Sequence, residues 1–356
     1  MTLQRSNRAL RAVLAIALGS AAVSCVAQAP LRSPWDGKHV AVTNAPYDCP
    51  KFPDVGPDLT TDGFYRKDDP THSIVDPVLM DAYTRSAGPV KKAGQELVGA
   101  ADAFRTTGSR GAAQCALTQM SSMARQHSLT GRMSSGQAYY VQGWIAGAIA
   151  IAYLKVLDSG LATAQDRTAI PAWLEQVGAA TRQWYDDHAA KSHNPLGNNH
   201  LYWAGVELAA IATAANDRKN FDWAMSTYEN GVAQIKPDGT LPLEMARGTR
   251  ALHYHLYALA PLVLLAEFGE ANGLPLYSAH DGAIHRLEKV SIAGLSDPSI
   301  FVAGTGRPQE PSTPVSGDAI GWAPPYLARF PDPTLAGYVK RAASLSVFYL
   351  GGLPPS

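Results

Sequence analysis

The sequence predicts an all-α protein of stacked antiparallel helix pairs, and three observations predict it. Almost no stretch alternates apolar and polar residues with period two. Apolar residues instead recur at helical spacing between short turns: Asp158-Ser159-Gly160, Asn216-Asp217, Pro237-Asp238-Gly239 and Asn272-Gly273. The chain of 356 residues is 46% hydrophobic, which supplies a sizeable core and argues against disorder. Small-residue runs such as Ala146-Gly147-Ala148 let helices approach closely, in either a solenoid or a closed ring of hairpins.

Residues 1–29 read as a secretory leader. Arg5, Arg8 and Arg11 give a positive start, Ala12 to Val23 an apolar run too short to span a bilayer, and Ala27-Gln28-Ala29 a small-residue cleavage site. Cys25 is the alternative, lipoprotein-type processing position, but the usual Leu three residues before it is absent. A periplasmic or secreted location follows. One domain, 30–356, is expected after the leader, beginning with an irregular arm over 30–72 that is rich in Pro, Asp and Gly. Cys49 and Cys115 are the remaining cysteines. In an exported protein they most simply pair, stabilising the fold by roughly 4 kcal/mol in the chain-entropy model. A disulfide would pin the arm to the body.

Asp76-Pro77, a cap followed by proline at the first helical position, opens the helical series. The periodicity predicts helices over 76–86, 89–105, 111–127, 137–157, 167–187, 198–215, 219–234, 244–268, 277–288, 316–329 and 333–349. Two Pro/Gly-rich segments, 62–72 and 304–317, are long enough to act either as surface connections or as mobile loops over a cleft.

Charge narrows the ligand. The formal net charge is zero, and removing the leader takes away three arginines and no acid, so the mature chain is mildly acidic. Nucleic acid is therefore not an expected partner, and any polyanion must be drawn by a focused cleft. The stretch Arg247 to Tyr257 suggests one. Read as a helix, it places Arg247, Arg250, Tyr254 and Tyr257 on one stripe and Leu252, Leu256, Leu259 and Val263 opposite. Tyr at this spacing is ordinary core packing, but Arg is seldom buried unpaired, so an inward cationic and phenolic front points to an anion. In Gly197-Asn198-Asn199-His200-Leu201-Tyr202-Trp203, an amide, an imidazole and an indole gather at a helix N-terminus. Such an end attracts carboxylates.

NNHLYW together with PDGTLPLEMARGTRALHYHLYAL resembles the alginate lyase family, specifically the family 5 polysaccharide lyases acting on poly-β-D-mannuronate. The likeness is sharpest at Asn199, His200 and Trp203 and from Arg250 to Tyr257, and extends more weakly from about Cys49 to the last helix. It implies an α/α toroid, an incomplete (α/α)6 barrel of helix hairpins, with a deep cleft for an acidic polysaccharide. It also implies export to the periplasm and no metal or other cofactor. Asn199, His200, Arg250 and Tyr257 match the family's catalytic group. Lys67 in FYRKDDP, with Arg66 beside it, matches the substrate-contacting lid. The sequence departs from the commoner family pattern at that lid and at Trp322-Ala323-Pro324-Pro325-Tyr326, where the family is more acidic.

The chemistry argues the same way. β-Elimination of a uronate removes the C5 proton and expels the C4 oxygen, and both steps need the C6 carboxylate neutralised. Arg250 offers a planar fork of donors, and Asn199 and His200 add hydrogen bonds to the developing enediolate. Tyr257 transfers the proton, with a neighbouring guanidinium expected to favour its phenolate. In mannuronate the C5 hydrogen and C4 oxygen share a face, so one tyrosine can serve as base and then acid. His200 as base with Tyr257 as acid is the alternative. Glucuronate has the same C4 and C5 configuration, so glucuronan and hyaluronan stay open beside polymannuronate, whereas guluronate would be a poor substrate. Tyr65 and Trp203 are candidate sugar platforms, and Arg247, His253 and Tyr254 candidate substrate contacts.

Two other classes compete. An inverting glycosidase on the same scaffold would use two carboxylates, for which Asp238 and Glu244 are at hand, although turn and helix-start chemistry accounts for both. A non-catalytic periplasmic binding protein would keep Arg and Trp without needing Tyr257. His253 and His255, two apart on a helix, point about 200° apart and cannot share a zinc ion. A monomer without membrane attachment is expected.

Overall fold

Five of the long helices begin where the sequence supplies a polar cap. Asp76 accepts from the backbone N–H groups of Val78 and Leu79 to open α1 (Pro77–Thr107), and Ser109 caps α2 (Arg110–Arg125). Ser135 caps α3 (Gly136–Leu157), Asn198 caps α5 (Asn199–Ala215) and Asp217 caps α6 (Arg218–Ala233). Each such bond contributes about 1 kcal/mol. Between α3 and α5 runs α4 (Ala164–Lys191). After α6 come the short α7 (Pro242–Met245), a 3-10 turn at Gly248–Arg250, α8 (Ala251–Ala271) and α9 (Ala279–Gly294). The chain closes with α10 (Ser299–Thr305), α11 (Gly317–Ile320), α12 (Ala323–Arg329) and α13 (Pro333–Arg341). The computed structural model describes residues 29–191, 197–310, 315 and 317–355. The predicted leader, with Cys25 but without Ala29, lies outside them, as does part of the 304–317 segment.

The long helices form two concentric layers. α1, α3, α5 and α8 pack side by side in the inner layer, each joined by a short loop to an outer helix, α2, α4, α6 or α9. The product is an α/α toroid. Inner helices α3, α5 and α8 are apolar around nearly their whole circumference, as helices packed on all sides must be. α3 and the segment Gly248–Ala271 are long and apolar enough to cross a bilayer, but 83% and 89% of those windows is buried inside the fold. Hairpin connection makes the inner helices run the same way, with their N-termini at one end. Among the described residues there is no strand, only isolated bridges. Residues Leu31–Ser356 pack as one unit.

Several predicted boundaries move. α1 runs straight through Pro89, where two helices were expected. Its buried face continues across the proline through Ala87, Val90, Ala93 and Leu97, and this packing outweighs the roughly 3 kcal/mol an internal proline costs. The predicted 244–268 helix is instead α7, the 3-10 turn and α8, so Arg247 and Arg250 precede the helix rather than ride on it. The 316–329 span breaks into α11 and α12 ahead of Pro324-Pro325, and the 333–349 helix stops at Arg341.

The arm over 30–72 is irregular. It is tied down by backbone bonds from Thr43 to Gly108 and from Leu59 to Arg132, and by the Cys49–Cys115 disulfide, whose Cα atoms are 5.7 Å apart. At the other end, the Lys155 ammonium is fully buried and donates to Asp102 Oδ1 (2.7 Å) and to the carbonyls of Gly351 (2.5 Å) and Leu353 (2.7 Å). That clasp holds the 3-10 turn Phe348–Leu350 against α1 and α3.

Candidate functional site

The N-terminal ends of the inner helices open into a cleft of about 900 Å³. Gln137, Tyr140 and Trp144 come from the first turns of α3, Asn198 and His200 from the start of α5, and His253, Tyr254 and Tyr257 from the start of α8. Lys91 of α1 and Tyr349 close one side, and the segment 62–67 lies across the top. Helix N-termini carry partial positive charge and unpaired N–H groups, so their convergence favours an anionic ligand even in a chain of zero formal charge. Asp62 is the one carboxylate among the described lining residues. Neither Asp238 nor Glu244 reaches the cleft, so the paired flanking carboxylates of a hydrolase are not found there.

Tyr257 is half-buried, backed by the Trp203 ring (5.1 Å between centroids) and stacked parallel to His253 at 6.2 Å. Burial, and then the neighbouring Tyr349 and Tyr254, push its phenol well above the ordinary value. This corrects the expectation that Arg250 would favour phenolate: desolvation dominates, and the resting group is a protonated phenol. His200 shows the opposite shift. Its ring lies flat on Tyr140, 3.8 Å between centroids and 8° between planes, with Trp144 beyond it. Burial, helped by the Arg247 charge, lowers its pKa to about 3, so the imidazole is neutral at physiological pH.

Arg250 lies in the 3-10 turn. Its Nη1 donates to the Tyr65 hydroxyl at 2.6 Å, which is 2.6 Å from the Tyr254 hydroxyl, and its Nε is 3.1 Å from Glu310 Oε2. The guanidinium thus lies between the Tyr65 hydroxyl and the Glu310 carboxylate. Arg247 is also spoken for. Its guanidinium stacks 3.5 Å above the Tyr254 ring and donates to the backbone carbonyls of Thr71 (Nε, 3.0 Å) and His72 (Nη2). It therefore ties down the loop 64–76, which overlaps the segment 62–72 expected as a surface connection or a lid, and whose two sides pair through Arg66 N to Ile74 O and Asp76 N to Phe64 O, both 2.9 Å. Asp69 knots the loop tip from within, accepting from Thr71, Ser73 and Ile74, and these bonds hold its carboxyl far below the usual carboxylate range.

Asn199, expected at the substrate, is fully buried, and Asn198 rather than Asn199 lines the cleft. The Asn199 backbone N–H and side-chain Nδ2 donate to the carboxylate of Glu244, at 2.9 Å and at 3.0 and 2.9 Å respectively. Glu244 is itself 1% exposed. Its segment is fixed by the Asp238-Gly239 turn, where Gly239 has φ +86° and an added Cβ would lie 2.3 Å from the Arg286 carbonyl oxygen. His255 completes the anchor: Leu241 N–H donates to its Nε2 at 2.8 Å, so Nδ1 carries the proton and donates to the Ala251 carbonyl at 2.8 Å. Burial lowers the His255 pKa to about 4. His253, by contrast, is exposed at the cleft, where the crowding walls, then Arg250 and Arg247, lower it to about 4. The two histidines of the HYH triplet thus have separate environments.

Other predicted contacts divide. Tyr65, Lys67, His253, Tyr254, Arg66 and Arg247 all line the cleft, although Arg66 turns to Asp68, with 2.9 and 2.5 Å bonds. Trp203 does not line it. It is 4% exposed and supports Tyr257 from behind, so it is not an open sugar platform. The sequence reading missed Gln137, Tyr140, Trp144, Lys91 and Tyr349. Tyr140 and Trp144, one turn apart just after a helix cap, carried a local signal; Tyr349 carried none, because only tertiary packing returns it to the cleft.

The family model described as Alginate lyase matches residues 38–301. A protein of Stenotrophomonas maltophilia (strain K279a) named Polysaccharide lyase is 35% identical over 287 residues, covering 80% of this chain and 82% of the relative. A protein of Pseudomonas syringae pv. syringae (strain B728a) named Alginate lyase is 34% identical over 246 residues, covering 67% of this chain and 63% of that relative's length. Among solved structures, alginate lyase A1-III of Sphingomonas species A1 superposes with a TM-score of 0.70 at 23% identity over 88% of this chain and 87% of its own. A tetrasaccharide complex of alginate lyase A1-III gives 0.73, also at 23% identity, over 87% and 86%. These two likenesses bear on the fold.

Proposed function

The chain belongs to the alginate lyase family, and from that premise we propose that it cleaves an acidic polysaccharide by β-elimination, with poly-β-D-mannuronate as substrate. The single observation that supports this best is the gathering of a fixed guanidinium, a neutral imidazole and a protonated phenol on facing walls of one cleft. Arg250 neutralises the C6 carboxylate of the bound uronate and His200 stabilises the enediolate as charge develops, with the buried Asn199 supporting the start of α5 that carries His200. Preorganised donors of this kind contribute roughly 3–4 kcal/mol each. As acid and base in turn, Tyr257 first gives up its own phenolic proton to solvent, then takes the C5 proton and returns it to the departing C4 oxygen on the same face. Tyr140 and Trp144 offer aromatic surface for the sugar rings, and Lys67 and Lys91 draw in the chain's carboxylates.

A second assignment of the base is favoured by one observation. Tyr257 rests as a phenol and His200 rests unprotonated, so His200 can accept the C5 proton while Tyr257 acts only as acid. The shared C4 and C5 configuration keeps glucuronan and hyaluronan as alternative substrates. Export by a cleavable leader places the enzyme in the periplasm or outside the cell in this reading, as a monomer of one lyase domain.

The test is ultraviolet absorbance of the purified protein with polymannuronate, polyguluronate, glucuronan and hyaluronan, separately. We expect the C4–C5 unsaturated uronate band to rise with polymannuronate and not with polyguluronate. Reducing ends without that band would replace elimination by hydrolysis, and no product at all would leave a binding protein.

A further inference from the structure

The Glu244 carboxylate lies in an unexpected place: a charge 1% exposed behind a cleft built to attract anions. Burying a carboxylate is costly, and its field works against binding a polyuronate. Helix capping explains one of its bonds, the 2.9 Å one from the Asn199 backbone N–H, but not the two to the Asn199 side chain. The α5 N-terminus already has Asn198, whose Oδ1 accepts from His200 N–H at 3.1 Å and whose carbonyl accepts from Leu201 N–H at 3.0 Å.

What the carboxylate does is grip one side chain. Asn199 Nδ2 sits at 3.0 and 2.9 Å from the two Glu244 oxygens. The two oxygens of one carboxylate subtend a much smaller angle than the two hydrogens of an amide, so one N–H is shared between them. The second N–H and Oδ1 remain, and Oδ1 is buried without a hydrogen-bond partner in the protein. Because Glu244 only accepts, the reverse orientation of the amide would set oxygen against oxygen. The anchor is itself rigid: α7 is tied through Leu241 N–H to His255 of α8, the helix that carries Tyr257.

We propose that Glu244 is a positioning residue: by locking the buried Asn199 amide in one orientation it fixes the first turn of α5, whose Asn198 and His200 line the cleft. The proposal rests on the lyase reading above.

Four proteins test it: wild type, Glu244→Gln, Asn199→Ala and the double variant. Gln keeps the shape and an acceptor for the Asn199 backbone N–H, but its amide nitrogen donates, so the Asn199 side chain must turn over. We expect Glu244→Gln to lower kcat on the order of 100-fold, the scale of one oriented donor. KM should change by less than about twofold, with the helical circular dichroism retained. In the Asn199→Ala background the same substitution should cost nothing further, because coupled residues are not additive. An equal loss in both backgrounds, or full activity in Glu244→Gln, would overturn the assignment. Should Glu244→Gln fail to fold, Glu244→Asp keeps the charge but withdraws it by one methylene; its kcat loss must again vanish without Asn199, and a loss that persists overturns the idea. A wild type that yields no unsaturated product refutes the lyase reading itself and takes this proposal with it; elimination by wild type with additive variants refutes only the role of Glu244.

Discussion

Glu207 makes the fold sensitive to pH in a direction that can be worked out in advance. It is fully buried in α5, where Oε1 accepts from the Thr181 hydroxyl at 3.0 Å and Oε2 has no hydrogen-bond partner in the protein. It sits tight against α3, since a Cβ added to Gly143 would lie 2.6 Å from Oε2. Burial raises its pKa from 4.5 to about 8, so the folded protein keeps a proton that the unfolded chain releases. The folded pKa being the higher, the stability is fully present below pH 4.5 and is lost as pH rises toward about 8. At about 1.4 kcal/mol per pH unit, the full loss is about 5 kcal/mol.

Glu207→Gln preserves shape and the acceptor for Thr181 but cannot ionise. Urea unfolding of both proteins, disulfide intact, at about pH 5.5, 6.5 and 7.5 isolates the effect. Between the first and last, wild type should lose roughly 2–3 kcal/mol relative to the variant. The buried histidines have depressed pKa values and give the opposite dependence, stability lost as pH falls, but they are common to both proteins and cancel. Parallel stability curves would show that Glu207 titrates normally in the fold and would refute the argument.

Tyr257→Phe should abolish elimination; proton–deuterium exchange at C5, followed by magnetic resonance in heavy water, should persist if His200 is the base and vanish if Tyr257 is both base and acid. Arg247→Ala should free the loop, raising KM several-fold and speeding tryptic cleavage at Arg66 and Lys67, with unchanged cleavage counting against the latch. The rate should not fall through protonation of His200 until pH drops below about 4, because its pKa is held near 3; a limb near pH 6.5 in kcat/KM would contradict that burial. Reducing Cys49–Cys115 should lower stability by roughly 4 kcal/mol in the chain-entropy model, read by urea unfolding with and without reductant.

What could be read in advance was local. The Asp76 cap set its helix because a side-chain oxygen next to a backbone N–H is a short-range matter. The Asn-Asn-His and Arg-x-x-Arg stretches marked the cleft for the same reason. Proline was over-read: Pro89 breaks an isolated helix, but packing on both sides carries α1 through it. Periodicity put Arg247 and Arg250 on a helix, whereas Gly248, at φ +59°, lets the chain make a 3-10 turn that still stacks Arg247 on Tyr254. Trp203 and Asn199 look alike whether they face sugar or core, and only the positions of Tyr257 and Glu244 decide between the two. Tyr349 was invisible, since nothing near it in sequence foretells the clasp by Lys155.

That clasp bears on how the molecule comes into being. Lys155 and the Gly351 carbonyl are 196 positions apart, and Asp102 and the Leu353 N–H are 251 apart. Through these bonds the tail wedges Tyr349 between Lys91, Trp144 and Trp203. A growing chain can fold its hairpins one after another, yet the cleft has an unfinished wall until residue 353 arrives. Loop closure over such distances is slow compared with helix formation. Competence should therefore appear as a late, separate phase of refolding, after the helices are already in place.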